Sequence, residues 1–186
     1  MSSYTNQNDL LMQRLIHYYK NNNYCKLDKV LAILNGEAQI SLRIVDWFVT
    51  NYAKQKFIVY NLKNGCRFKV YADYKLRLKS YSKKRFDPFC RWDRVNIPYK
   101  SGQHIQTTIG QLNFFRWALD NEIIQYIENH YDEIEKDMNS RNSTSRNKQS
   151  VTVKNKNNTR KRREELSISA TKSVKKENVE IVVSFS

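Results

Sequence analysis

The sequence predicts an α+β fold that is mainly α: a compact helical domain with one small β-hairpin, followed by a disordered basic tail. Three observations carry this expectation. Apolar residues recur at three- and four-residue spacing through most of residues 1–139. Two short β-type runs flank a single Asn64-Gly65 pair. Of the 3 Trp, 12 Tyr and 8 Phe, all but Phe185 precede residue 140.

Asn8 is placed to cap a first helix running to about Lys20, with Leu11, Leu15, Ile16 and Tyr19 on one side. Tyr24 to Asn35 repeats the pattern through Leu27, Val30, Leu31 and Leu34, and Gly36 suits the left-handed residue that ends such a helix. Ser41 caps a third helix reaching Lys54, whose apolar face is Ile44, Val45, Phe48, Val49 and Tyr52. Phe57 to Tyr60 and Cys66 to Tyr71 then form the hairpin, near 57–71, because Asn-Gly readily takes positive φ. A fourth helix spans about Ala72 to Lys84 and stops before Pro88. Tyr74, Leu78 and Tyr81 face inward on it. Lys75, Lys79 and Lys83, at i, i+4 and i+8, form a basic stripe on another face. The stretch up to Thr107 reads as irregular. Thr108-Ile109-Gly110-Gln111 has capping-box spacing, and the helix after it carries Ile109, Leu112, Phe115 and Leu119. Asp120 caps a last helix with Ile124, Ile127, Tyr131, Ile134 and Met138 in a stripe.

Residues 140–178 are a different kind of chain. Starting Ser140-Arg141-Asn142-Ser143-Thr144, they hold too little apolar surface to offset a backbone ordering cost of roughly 1–2 kcal/mol per residue. The sequence then closes on a β-prone motif, 179–185, with Val179, Ile181, Val183 and Phe185 at alternating positions.

Composition narrows the function. The 186 residues carry 33 Lys and Arg against 18 Asp and Glu, a net +15. Four Gly and two Pro exclude collagen-like and Gly-linker classes and leave little glycine for phosphate-cradling loops. No apolar run approaches the ~18 residues of a bilayer span, and Met1 to Asn8 lacks the profile of a signal peptide, so a soluble intracellular protein without membrane contact is expected. Three widely spaced cysteines, Cys25, Cys66 and Cys90, suit buried free thiols in a reducing compartment.

The charge is unevenly placed. Residues 54–94 hold 13 basic and 3 acidic side chains, whereas residues 120–138 hold 1 basic and 7 acidic. A focused positive patch concentrates polyanions, and neutralising phosphates releases counterions. Inside that window Lys79 to Arg94 interleaves cations with aromatics, a mix that holds phosphates and stacks bases. The candidate nucleic-acid-binding residues are Lys75, Lys79, Lys83, Lys84, Arg85, Arg91 and Arg94, with Trp92. A plainer reading makes Phe86, Phe89 and Trp92 plugs under a loop and the cations partners of a helix C-terminus. In the tail, Arg160, Lys161, Arg162 and Arg163 form a compact cluster of the nuclear-import or nucleic-acid type. The β-prone end offers a strand for a protein partner's sheet edge, or for the chain's own hairpin.

Signals for chemistry are sparse. His17, His104 and His130 and the three cysteines lack metal-ligand spacing, so no metal and no cofactor are expected; a zinc site from Cys66, Cys90 and His104 is the weak alternative. Asp73-Tyr74-Lys75 has the acid–x–Lys arrangement of some nucleases, but an Asp73–Arg77 pair at i+4 explains it as well. An enzyme is therefore the minority reading. Three helices followed by a hairpin is also the order of a winged helix, with Ser41 to Lys54 as recognition helix and Leu62 to Gly65 as wing tip; that helix, however, leaves few polar residues to read bases.

Three stretches, Ser41 to Tyr52, Phe86 to Arg91 (Phe-Asp-Pro-Phe-Cys-Arg) and Thr107 to Ala118, resemble a group of uncharacterised proteins of large nucleocytoplasmic DNA viruses, over roughly residues 40–135. The resemblance implies a viral source, with a place in the cytoplasmic factory, the virion or the nucleus, and assigns no activity. The combined expectation is a non-enzymatic viral protein that binds nucleic acid, DNA ahead of RNA, through backbone charge. The alternatives are a virion or scaffold module that docks by its terminal strand, and a winged-helix regulator.

Overall fold

Asn6, rather than Asn8, starts helix α1 (Gln7–Lys20), its backbone N–H donating to the Asp9 carboxylate at 3.1 Å. The computed structural model describes residues 6–21, 23–147 and 176–177. Helix α2 (Cys25–Asn35) ends at Gly36, which takes φ +74°, as its place after the last apolar residue predicts. Ser41 caps α3 (Leu42–Trp47) by accepting the Ile44 N–H. The helix then widens into a π turn over Phe48–Tyr52, where the Ala53 N–H reaches back five residues to the Phe48 carbonyl, and finishes as α4 (Ala53–Gln55). The wider turn lets Trp47 and Tyr52, five apart, both reach the same neighbouring helix.

Strands β1 (Val59–Asn61) and β2 (Arg67–Lys69) form the expected antiparallel hairpin, Val59 opposite Lys69 and Asn61 opposite Arg67. Its loop runs from Leu62 to Cys66, longer than the two residues Asn-Gly can close alone. It is held by Leu62 N–H to Cys66 O, by Cys66 N–H to the Asn64 side chain, and by Gly65 at φ +79°. The backbone passes directly from β2 into α5 (Val70–Arg85).

The stretch read as irregular holds a second hairpin. Strands β3 (Arg94–Pro98) and β4 (His104–Thr108) pair antiparallel around a 3-10 turn at Lys100–Gly102. Tyr99 and Lys100 tie this turn to α2 by hydrogen bonds to Asp28. A two-residue strand β5 (Lys176–Glu177) adds to the other edge of β4, opposite Ile105 and His104.

Helix α6 (Ile109–Asp120) lies at the centre. Gly110 to Phe115, Trp117 and Ala118 are all buried, so it is covered on nearly every face rather than along one stripe. Thr108 caps it through the Gln111 N–H, but the Gln111 side chain is used elsewhere, on Thr107 and the Pro88 carbonyl. The expected single last helix is two, α7 (Ile123–Asn129) and α8 (Tyr131–Asn147), separated at His130. Helix α8 extends eight residues past the boundary expected at 139. The fold is α+β and mainly α, around a core of Leu15, Tyr19, Leu27, Val45, Phe48, Phe114, Phe115, Ile127 and Ile134.

Candidate nucleic-acid interface

The basic window of residues 54–94 folds as the end of the third helix, the first hairpin, α5 and the loop into β3. Each of its three carboxylates is taken by one cation. Asp73 pairs with Arg77 at 3.3 Å and also accepts the Trp117 indole N–H at 2.6 Å, which anchors it on α6. Lys84 meets Asp93 at 3.3 Å, both exposed. Asp87, 4% exposed, receives two hydrogen bonds from Arg91, Nε at 2.8 Å and a terminal nitrogen at 2.9 Å.

That last pair gives Arg91 a structural role as well. Its guanidinium is committed to a buried carboxylate, lies 5.0 Å from the Phe89 ring and feels the negative charge of Asp46 on α3. The Asp87 hydrogen bonds push its pKa up, against the opposing effect of burial. Arg91 is a staple between a loop and the core, holding Asp87 through Nε and one terminal nitrogen.

The stripe at i, i+4, i+8 is also interrupted. Ser82 has φ +59° and ψ 168°, so the helix breaks between Lys79 and Lys83. Lys75 and Lys79 share one exposed surface with Leu76, itself 63% exposed, over a shallow depression that Ala72 and Leu78 complete. Lys83, Lys84 and Arg85 leave on a new heading, Lys84 toward Asp93 and Arg85 toward Gln7 at 3.3 Å. Arg94 is exposed, with one nitrogen 3.3 Å from the Gln106 side chain. The Lys84–Asp93 contact marks the Trp92–Arg94 segment as lying beside the C-terminal end of α5.

The aromatics divide. Phe86 and Phe89 are 2% exposed; Phe86 sits among Tyr74, Tyr81, Phe114 and Trp117, and burial pushes the Tyr74 hydroxyl up to about 12. These are plugs. Trp92 is 44% exposed and keeps an open face beside the cations. The side chains of ten of the window's cations, Lys75, Lys79, Lys83 and Arg94 among them, make no ion pair within 4 Å among the described residues.

The acidic residues gather on α7 and α8. Asp137 accepts the Trp47 indole at 3.0 Å and Glu133 the Tyr52 hydroxyl at 3.3 Å, while Glu128 and Asp132 are exposed. Helix α3 with its π turn packs on both α5 and α8, so it stands between the basic and acidic surfaces. Along Ser41 to Lys54, Ser41, Arg43 and Lys54 are exposed, Asp46, Trp47, Thr50 and Asn51 are half-buried, and the rest are buried.

Cys25 and Cys66 are exposed rather than buried, and Cys90 is half-buried, where desolvation raises its thiol pKa. No cluster of three His, Cys, Asp or Glu side chains suited to a metal forms among the described residues. No helix among them is long and apolar enough to cross a membrane. The cluster Arg160, Lys161, Arg162 and Arg163 and the docking positions Val179, Ile181, Val183 and Phe185 lie outside the described residues. Phe57, which the sequence places in a strand, is instead the most exposed large apolar side chain described, at 84%.

Comparison with known proteins bears on origin. A family model described as a family of unknown function (DUF7197) matches residues 3–184, running through the basic tail. The chain belongs to that family. It is 48% identical over 128 residues to uncharacterized protein L507 of Acanthamoeba polyphaga mimivirus, an alignment covering 64% of this chain and 49% of the mimivirus protein. The match thus spans about half the length of that relative. No solved structure matches. The resemblance to uncharacterised proteins of large DNA viruses holds.

Proposed function

We propose that this member of the DUF7197 family is a non-enzymatic nucleic-acid-associated viral protein that holds the phosphate backbone by charge. Lys75, Lys79 and Lys83 on α5 carry the contact, with Arg94 and the open face of Trp92 beside them and the Arg160–Arg163 cluster adding attraction from the tail. The supporting observation is the surplus of cations: the window's carboxylates are consumed by Arg77, Lys84 and Arg91, and the ammonium groups of the remaining lysines stand exposed with no ion pair among the described residues. Lys84 stays in the set, because an exposed ion pair is weak enough for phosphate to compete with it. DNA is the expected ligand ahead of RNA, in the viral factory or the virion.

Such binding is tolerant of sequence and steep in salt. Affinity for duplex DNA should fall with added salt by about 0.9 in logarithmic slope per phosphate neutralised. Replacing Lys75, Lys79 and Lys83 together by Ala should therefore flatten the slope by about 2 to 3 and weaken every sequence alike, as read by fluorescence anisotropy over a salt series. An unchanged slope and affinity in a protein that melts normally would remove α5 from the interface.

A further inference from the structure

We propose that Phe57 is a stacking platform for an unpaired base, so that the ligand at this end of the basic surface is single-stranded DNA; this rests on the nucleic-acid reading above. Phe57 occupies the residue just past the last turn of the third helix. The Ile58 N–H closes that turn by donating to the Ala53 carbonyl at 3.2 Å, and Phe57 between them is forced to φ +51°. The same chain meets the same requirement at the end of α2 with Gly36, at φ +74°. A left-handed backbone is costly for any residue with a Cβ, and glycine is the inexpensive solution. Here the position holds a phenylalanine, and burial returns nothing, since the side chain is 84% exposed.

The surroundings are cationic. Lys54 and Lys56 flank the turn, and the outward face of the hairpin sets Lys69 opposite the exposed Val59 and Arg67 opposite Asn61. None of these four cations has a carboxylate within 4 Å among the described residues. The Lys54 ammonium lies 5.7 Å from the ring of Tyr71, in the first turn of α5. Val70, the first residue of α5, donates its N–H to the carbonyl of Ile58 beside Phe57, and Trp92 adjoins the Lys84–Asp93 pair at the other end, with Lys75 and Lys79 on the helix between and Lys83 just past its break at Ser82. Cations along a track with a bare aromatic face at each end match a flexible single strand, whose bases are free to stack; a duplex keeps its bases inside. A membrane is the poorer fit, because one phenylalanine and a partly covered valine offer less apolar surface than the single acyl chain that holds only marginally.

The test uses the full chain, a labelled oligothymidylate, a labelled duplex and vesicles containing phosphatidylserine. Phe57→Gly should keep or raise the melting temperature while weakening the oligothymidylate by about fivefold or more, the lower end of what one stacked base contributes. Duplex affinity and both salt slopes should stay at wild-type values, and Phe57→Tyr, which keeps the ring, should keep the affinity. If wild type binds DNA and Phe57→Gly binds oligothymidylate as tightly, the platform is overturned and the backbone-charge reading stands. If wild type binds neither DNA, both fall. Loss of vesicle binding in Phe57→Gly with unchanged oligothymidylate affinity would overturn the proposal and assign the ring to a lipid surface.

Discussion

Removing the Arg91 guanidinium should destabilise the protein and leave DNA binding untouched. Asp87 is 4% exposed and depends on Arg91 for two short hydrogen bonds. Stripping one partner from a buried ion pair costs about 3–5 kcal/mol, because the other charge stays behind unpaired. Arg91 itself is 48% exposed at the side chain, so water reaches part of the vacated space. About 2 kcal/mol is the expected loss for Arg91→Ala, or a drop of about 4–8 °C in melting temperature for a chain of this size. Arg91→Lys should recover only part of it, since an ammonium cannot grip both carboxylate oxygens in one plane. Pairing Arg91→Ala with Asp87→Asn removes the stranded charge and should recover most of it. Calorimetric melts of the four proteins, beside a DNA salt series, decide the matter. A normal melting temperature for Arg91→Ala together with a salt slope reduced by about one would mean that Arg91 grips phosphate, and the staple would be wrong.

Two further outcomes follow from the packing. Gly110→Ala places a Cβ 3.0 Å from the Lys84 carbonyl and 3.4 Å from the Phe86 nitrogen, backbone atoms that cannot swing aside. It should cost about 1–3 kcal/mol in a denaturant titration, and an unchanged midpoint would show the α5–α6 crossing to be loose. Tyr19 is kept protonated chiefly by burial, its hydroxyl donating to the Leu112 carbonyl at 2.7 Å. Above the ordinary tyrosine pKa of 10.0 the unfolded chain gives up a proton the native state retains. Stability is complete below that pH and declines above it, by up to about 1.4 kcal/mol per unit for this one group. Melts of Tyr19→Phe should decline less steeply over the same range.

The helices α1, α2 and α3 were legible because each buries one face against a larger body and so shows a clean period, and the first hairpin because Asn64-Gly65 marks its turn; α5 buries only Val70, with Tyr74, Leu78 and Tyr81 half-buried, and was legible chiefly from its stop before Pro88. The second hairpin was not. Arg94 to Pro98 and His104 to Thr108 bury only Ile97, Ile105, Thr107 and Thr108, too few apolar residues to stand out from a polar stretch that also contains a proline. The break at Ser82 leaves no mark, since serine is ordinary in an exposed helix. At the candidate site, the lysines of α5 were visible as unbalanced charge, but the fate of Arg91 was hidden. Its partner lies four residues back, but the backbone over 87–91 is a loop rather than a helix turn, and the loop brings the two together instead. Phe57 was masked for the opposite reason. A β-type run begins there, and nothing in the residue itself announces a left-handed backbone where glycine is the rule.

The π turn at Phe48–Tyr52 behaves as one residue more than a plain helix needs. Deleting one position between Trp47 and Tyr52 would restore the ordinary winding and leave the two four residues apart, still on one face of the helix. The wide turn thus absorbs a one-residue difference in chain length without turning what lies downstream, and a shorter relative would still offer both side chains to the acidic helix.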